Sequence, residues 1–164
     1  MMFTWASVLL LLALCMNGCE GSESAVEMSR DLNLLVKDGF HPAWIIDGGA
    51  NVGKWSSGII KMFPEASILM LDANERHTEA LTTTRDAFRQ MHPNSYFDFK
   101  FALLGDREGR NATFFARKEK IHHTGDSMFL EQTRAYSNKG RNAVKATVQH
   151  MRTVDGLWNE FVKE

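Results

Sequence analysis

Beyond its first two dozen residues, the chain alternates between continuous apolar bursts and stretches with helical spacing. "SAVEMSRDLNLLVKDGF" (24–40) carries Val26, Leu32, Leu34, Leu35 and Val36 and closes on Asp-Gly, a stop signal, which predicts a helix over 25–37. "PAWIIDGG" is an unbroken apolar burst and reads as a buried strand. "NVGKWSSGIIKMF" then spaces Val52, Trp55, Ile59, Ile60 and Phe63 as a helix does, with Pro64 as its breaker. "ASILMLDA" is a second buried strand. "NERHTEALTTTRDAFRQM" (74–91) reads as a helix capped by Asn74, with Ala80, Leu81, Ala87, Phe88 and Met91 on its inner side. "SYFDFKFALLG" (95–105) alternates Phe97, Phe99 and Phe101 against Asp98 and Lys100, a third strand whose phenylalanines belong to the core. "DREGRNATFFARKE" predicts a turn and a short strand, "AVKATVQHMRTV" another strand, and "DGLWNEFVKE" the start of a helix. Strand, helix, strand, helix, strand with apolar strands is the pattern of an α/β fold built on a parallel sheet.

The first residues follow a different pattern. "MMFTWASVLLLLALCMNGCEGSES" holds an apolar run from Trp5 to Met16, too short for a bilayer span and of the length of a signal-peptide core. Residues 1–21 are therefore expected to be a cleaved signal peptide and 22–164 the domain proper, entering the secretory pathway or secreted. No stable membrane span is expected after cleavage. Cleavage would also remove Cys15 and Cys19, which are all the cysteines, so neither a disulfide framework nor thiol chemistry is expected in the remainder. "NAT" at 111–113 makes Asn111 a glycosylation candidate, provided it is exposed.

At 164 residues there is room for one domain, and a formal net charge of −1 gives no reason to expect nucleic acid. "ARKEK" (116–120) is interrupted by Glu119 and reads as solvated surface. His122 and His123 are adjacent, point in different directions and lack a spaced third ligand, so no metal is expected. Ser56 sits in no nucleophile elbow.

The candidate chemistry lies in "IIDGGANVGKWS" (45–56). In an open parallel sheet, ligands bind at the carboxyl ends of the strands. Glycines there permit a tight turn and close approach, and a helix start offers free N–H groups. Asp72 ends the second strand about 20 residues on, where an acidic side chain accepts from ribose hydroxyls. Together these form a nucleoside-binding constellation. The dinucleotide pattern G-x-G-x-x-G is broken, because Ala50 stands at its second glycine. The alternative, Asp47-x-Gly49-x-x-x-Gly53, looks like the first motif of class I S-adenosylmethionine (SAM) methyltransferases.

"IIDGGANVGKWS" further resembles the D-V-G-A-N-x-G-x-x-S motif of FkbM-type methyltransferases. Asp47, Gly49, Ala50, Asn51, Gly53 and Ser56 fall on it, with Gly48 in place of the usual aliphatic. "FPEASILMLDAN" is similar to that family's second motif, with Asp72 where glutamate is commoner. "FALLGDREGRNATFF", "GDSMF" (125–129) and "RTVDGL" resemble later segments in the family's order. The resemblance covers about 40–158. It implies a Rossmann-like class I methyltransferase fold with SAM as cofactor, held by Asp47, Gly48, Gly49, Asn51, Gly53, Asp72 and Ala73. It also implies a small-molecule or glycan acceptor, methylated on oxygen. The family's next strand, with its Lys-x-Asp-x-x-Gly pattern, has no counterpart before Glu164, so no catalytic residue carries over. One edge of the first strand is then expected to lack its neighbour, which predicts an unstable product, a homo-oligomer or a longer chain. The rivals are a non-catalytic SAM-binding or interaction module and an NAD-dependent oxidoreductase.

Overall fold

The computed structural model describes residues 8–11, 23–117, 128 and 144–161. In chain order the elements are β1 (Val8–Leu11), α1 (Glu23–Lys37), β2 (Trp44–Gly48), α2 (Lys54–Ile59), β3 (Ser67–Asp72) and a 3-10 turn (Glu75–His77). They continue with α3 (Thr78–Met91), β4 (Phe97–Phe101), β5 (Leu103–Leu104), β6 (Asn111–Arg117), β7 (Val144–Arg152) and α4 (Val154–Phe161). The architecture is α/β. Among the described residues, β1-β2-β3-β4 form a parallel four-stranded sheet and β5-β7-β6 a smaller three-stranded one.

Period-two alternation sorts the apolar strand residues onto two faces. Ile45, Ile68 and Met70 pack with Leu32 of α1, Ile59 and Ile60 at the end of α2, and Leu81 and Phe88 of α3. Ile46, Leu69 and Leu71 face the other way, against Leu157 and Phe161 of α4. Helices thus cover both faces, which is why the strands carry no polar alternation. At the end of the sheet away from the loops that follow β2 and β3, Trp44 meets Trp158 and Phe161 edge-on, at centroid separations of 5.4 and 5.1 Å.

The "RTVDGL" segment has a clear local logic. Thr153 caps α4: its hydroxyl accepts from the Gly156 N–H at 3.0 Å and donates to Glu108 at 2.9 Å. Arg152 pairs with both Glu108 and Glu160.

Several expectations need correction. α2 ends at Ile59, before Pro64, and the chain tightens beyond it by i→i−3 bonds such as Met62 N–H to Ile59 O. The helix expected over 74–91 is a 3-10 turn followed by α3. On α3 only Leu81 and Phe88, two turns apart, are fully buried; Ala87 and Met91 are exposed, because α3 packs a narrow stripe against the sheet. The strand expected over 95–105 splits after Phe101, and Leu103–Leu104 leave to pair with β7. Phe97 is fully buried, whereas Phe99 and Phe101 are only partly so.

The edge of β2 does have a neighbour. Residues 8–11, inside the segment expected to be a signal peptide, pair with β2 in parallel register from Val8↔Trp44 to Leu11↔Asp47. Most of the remaining leader, with Cys15 and Cys19, lies outside the described residues, as do His122 and His123 and all of "GDSMF" but Met128. No described helix is long and apolar enough to cross a membrane.

At the opposite edge, β4 is shielded. Arg89 Nε donates to Phe97 O at 2.9 Å, Asp98 accepts from the Phe99 N–H, and Arg85 lies over the Phe99 ring.

Candidate functional site

The loops that follow β2 and β3 meet at the carboxyl end of the sheet, and all seven residues expected to form a site lie on them or on the strand ends they leave. Asp47 and Gly48 end β2, and Gly49 to Gly53 form the turn into α2. Asp72 ends β3 and Ala73 follows it.

The turn needs three residues in the left-handed region: Gly49 (φ 84), Asn51 (φ 52) and Gly53 (φ 75). Asparagine tolerates that region better than other side-chain-bearing residues. Gly53 has a second constraint, because a Cβ there would lie 2.8 Å from Thr84 Cγ2 on α3. The third glycine of the motif therefore lets the loop seat against α3.

The N–H groups of this loop are largely committed internally. Gly49 and Ala50 both donate to Leu71 O, at 2.8 and 2.9 Å, and Gly53 donates to Ala50 O at 2.8 Å. Asn51 donates to Asp72 Oδ2 at 2.7 Å. The glycines build the expected tight turn, with its donors folded back onto β3 and onto itself.

The two aspartates are placed differently. Asp72 is a structural hub. Its Oδ2 accepts from Asn51 N–H, its Oδ1 accepts from Asn74 N–H at 2.7 Å, and His77 Nδ1 lies 3.1 Å from Oδ1. With the imidazole proton on Nδ1, three of roughly four acceptor positions are filled, leaving one on Oδ2 among the described residues. Asp47 is fully buried. Its Oδ2 accepts a 2.6 Å hydrogen bond from the equally buried Ser56 hydroxyl. Its Oδ1 has no hydrogen-bond partner among the described residues. Burial pushes the Asp47 carboxyl up to about 6, assisted by the charge of Asp72 and opposed by the Ser56 hydrogen bond.

Ala73 is half-buried and lies against the small sheet: it packs on the cluster of Leu103, Phe114, Ala116 and Met151, and its carbonyl accepts from Gln149 Nε2 at 3.0 Å. Ser56, on the glycine-loop motif, and Asn74, read as a cap and found capping the 3-10 turn through the Arg76 N–H, were named from the sequence without a link to either aspartate. His77 and Gln149 were missed. The glycosylation candidate Asn111 is exposed, but it opens β6 opposite His150 of β7 rather than lying in a loop.

Comparison of the chain with protein-family models, with curated proteins and with solved structures found no match.

Proposed function

We propose that the chain is a SAM-binding domain of the class I methyltransferase type, of the FkbM kind, acting on a hydroxyl of a small molecule or glycan. The observation that carries this reading is the balance of donors and acceptors at the carboxyl end of the sheet. A pyrophosphate needs free backbone N–H groups, and those of Gly49, Ala50, Asn51 and Gly53 are committed elsewhere. A cationic ligand needs acceptors, and Asp47 Oδ1 is a buried carboxylate oxygen without a partner among the described residues. Such an oxygen is costly in a folded protein unless a ligand donor completes it.

SAM fits these residues. When bound, it supplies a methyl group activated by the positive charge of its sulfonium. Asp47 would take the ammonium end, and the open acceptor position on Asp72 would take one ribose hydroxyl. The glycines keep side chains out of the approach, and Gln149 steadies the Ala73 backbone beside it. The same donor balance, with Ala50 at the second glycine position, argues against the NAD-dependent alternative.

The test is titration calorimetry of the full chain with SAM, S-adenosylhomocysteine and NAD. Saturable binding of the first two and none of NAD is the expected result. Binding of NAD alone would replace this reading with a dinucleotide site. Binding of SAM with no methyl transfer to any hydroxyl acceptor would select the non-catalytic module.

A further inference from the structure

We infer that residues 8–11 are a retained strand of the fold, and that the β2 edge is a strand-docking site whose occupant is this segment of the chain itself.

Ser67 N–H bonds to Ala43 O and Gly49 N–H to Leu71 O, so the odd-numbered residues of β2 turn their backbone groups toward β3. By alternation, the groups of Trp44, Ile46 and Gly48 face β1. With Leu10 opposite Ile46 and Leu11 opposite Asp47, the N–H groups of Ile46 and Gly48 are directed at the carbonyls of Leu9 and Leu11. These donors lie in the buried middle of the sheet, between a core on each face. The β1 backbone closes the side from which water would otherwise reach them, so its removal would turn β2 into an open edge. Gly48 is also the residue from which the glycine loop departs, and Asp47 precedes it. The occupant of the β2 edge therefore holds the root of the loop. The opposite edge, at β4, is blocked by Arg89 and Asp98, so the docking capacity of the sheet lies on the β2 side.

A cleaved signal peptide and a sheet strand are exclusive fates for the same residues. The continuous parallel register of β1 on β2, which gives the Ile46 and Gly48 donors their partners, favours the strand in the folded protein.

The experiment is residue-resolved hydrogen exchange on the full chain and on two full-length variants, Leu11→Pro and Leu10→Pro. Leu11 directs its N–H at β2, whereas Leu10 directs its N–H outward, so only the first substitution removes a pairing donor. The expected result is protected Ile46 and Gly48 amides in the full chain and in Leu10→Pro. In Leu11→Pro their protection should drop at least about tenfold, while Ile45 and Asp47, bonded to β3, keep theirs. If Leu11→Pro does not fold while Leu10→Pro does, the same discrimination is read as global stability and supports the inference. Equal behaviour of the two variants overturns it. So does rapid exchange of Ile46 and Gly48 in the full chain, or amino-terminal sequencing of the protein from its native cell that begins near residue 22. SAM binding has no part in these readouts, so failure of the cofactor reading leaves them intact.

Discussion

Ser56 donates its hydroxyl to one carboxylate oxygen of Asp47 at 2.6 Å and leaves the other oxygen without a partner among the described residues. A fold that needed only a satisfied core would place an apolar residue here. A half-satisfied buried acid is the feature on which the proposed cofactor site rests.

The pH dependence follows from that acid. Its folded value of about 6 lies above the ordinary 3.8, so the folded state holds the proton more tightly than the unfolded chain. Stability is then greatest below the unfolded value and is lost as pH rises through about 6. The roughly 2-unit gap corresponds to about 3 kcal/mol. Binding of a cation runs the other way, because it needs the ionised carboxylate. SAM affinity is expected to weaken as pH falls through about 6. Melting curves with and without SAM between pH 4 and pH 8 check both signs; parallel curves would remove Asp47 from the site.

Ser56→Ala takes away the hydrogen bond that favours the ionised carboxylate. The expected cost is about 1.5–3 kcal/mol at neutral pH. The midpoint of the pH dependence should also move upward. A destabilised variant with an unmoved midpoint would mean that the hydroxyl fills space rather than tuning the acid.

Asp72→Ala should do more than weaken ribose recognition. It strips partners from the N–H groups of Asn51 and Asn74, at about 1.5–3 kcal/mol for each charged hydrogen bond. Denaturant unfolding should show that loss in the absence of any ligand. Asp72→Asn, which keeps one acceptor oxygen, should lose less. Loss of SAM affinity with undiminished stability would show that Asp72 is free to serve the ligand alone.

Gly53→Ala combines two penalties: a left-handed φ for a residue with a Cβ, about 1–2 kcal/mol, and the contact with Thr84 Cγ2. Adding Thr84→Ser removes the methyl and should recover only the second. A double-mutant cycle on unfolding free energies separates them, and zero coupling would show that Thr84 moves aside at no cost.

Both acids were legible in the sequence because each ends a continuous apolar run, where a polar residue must mark the strand's exit. The parallel order was legible for the same reason. Their partners were not. Ser56 reaches Asp47, and Asn51 reaches Asp72, only through a turn whose φ values at Gly49, Asn51 and Gly53 reverse the chain. Spacing alone does not encode such a path. The β1 strand was hidden for another reason: a run of leucines has the same pattern in a signal peptide and in a strand covered on both faces. The break between Phe101 and Leu103 went unseen because Ala102 continues both the apolar pattern and, through its N–H to Asp72 O, the bonding to β3, before Leu103 and Leu104 pair with β7.

The perpendicular contact of Trp44 with Trp158 gives the molecule an optical signature of its own. Two indoles held edge to face couple their transitions, so their circular dichroism signal exists only while α4 lies on the sheet. Trp55, at the start of α2 beside the glycine loop, belongs to no such pair among the described residues. Docking of α4 can therefore be followed by chirality alone, apart from any change around Trp55.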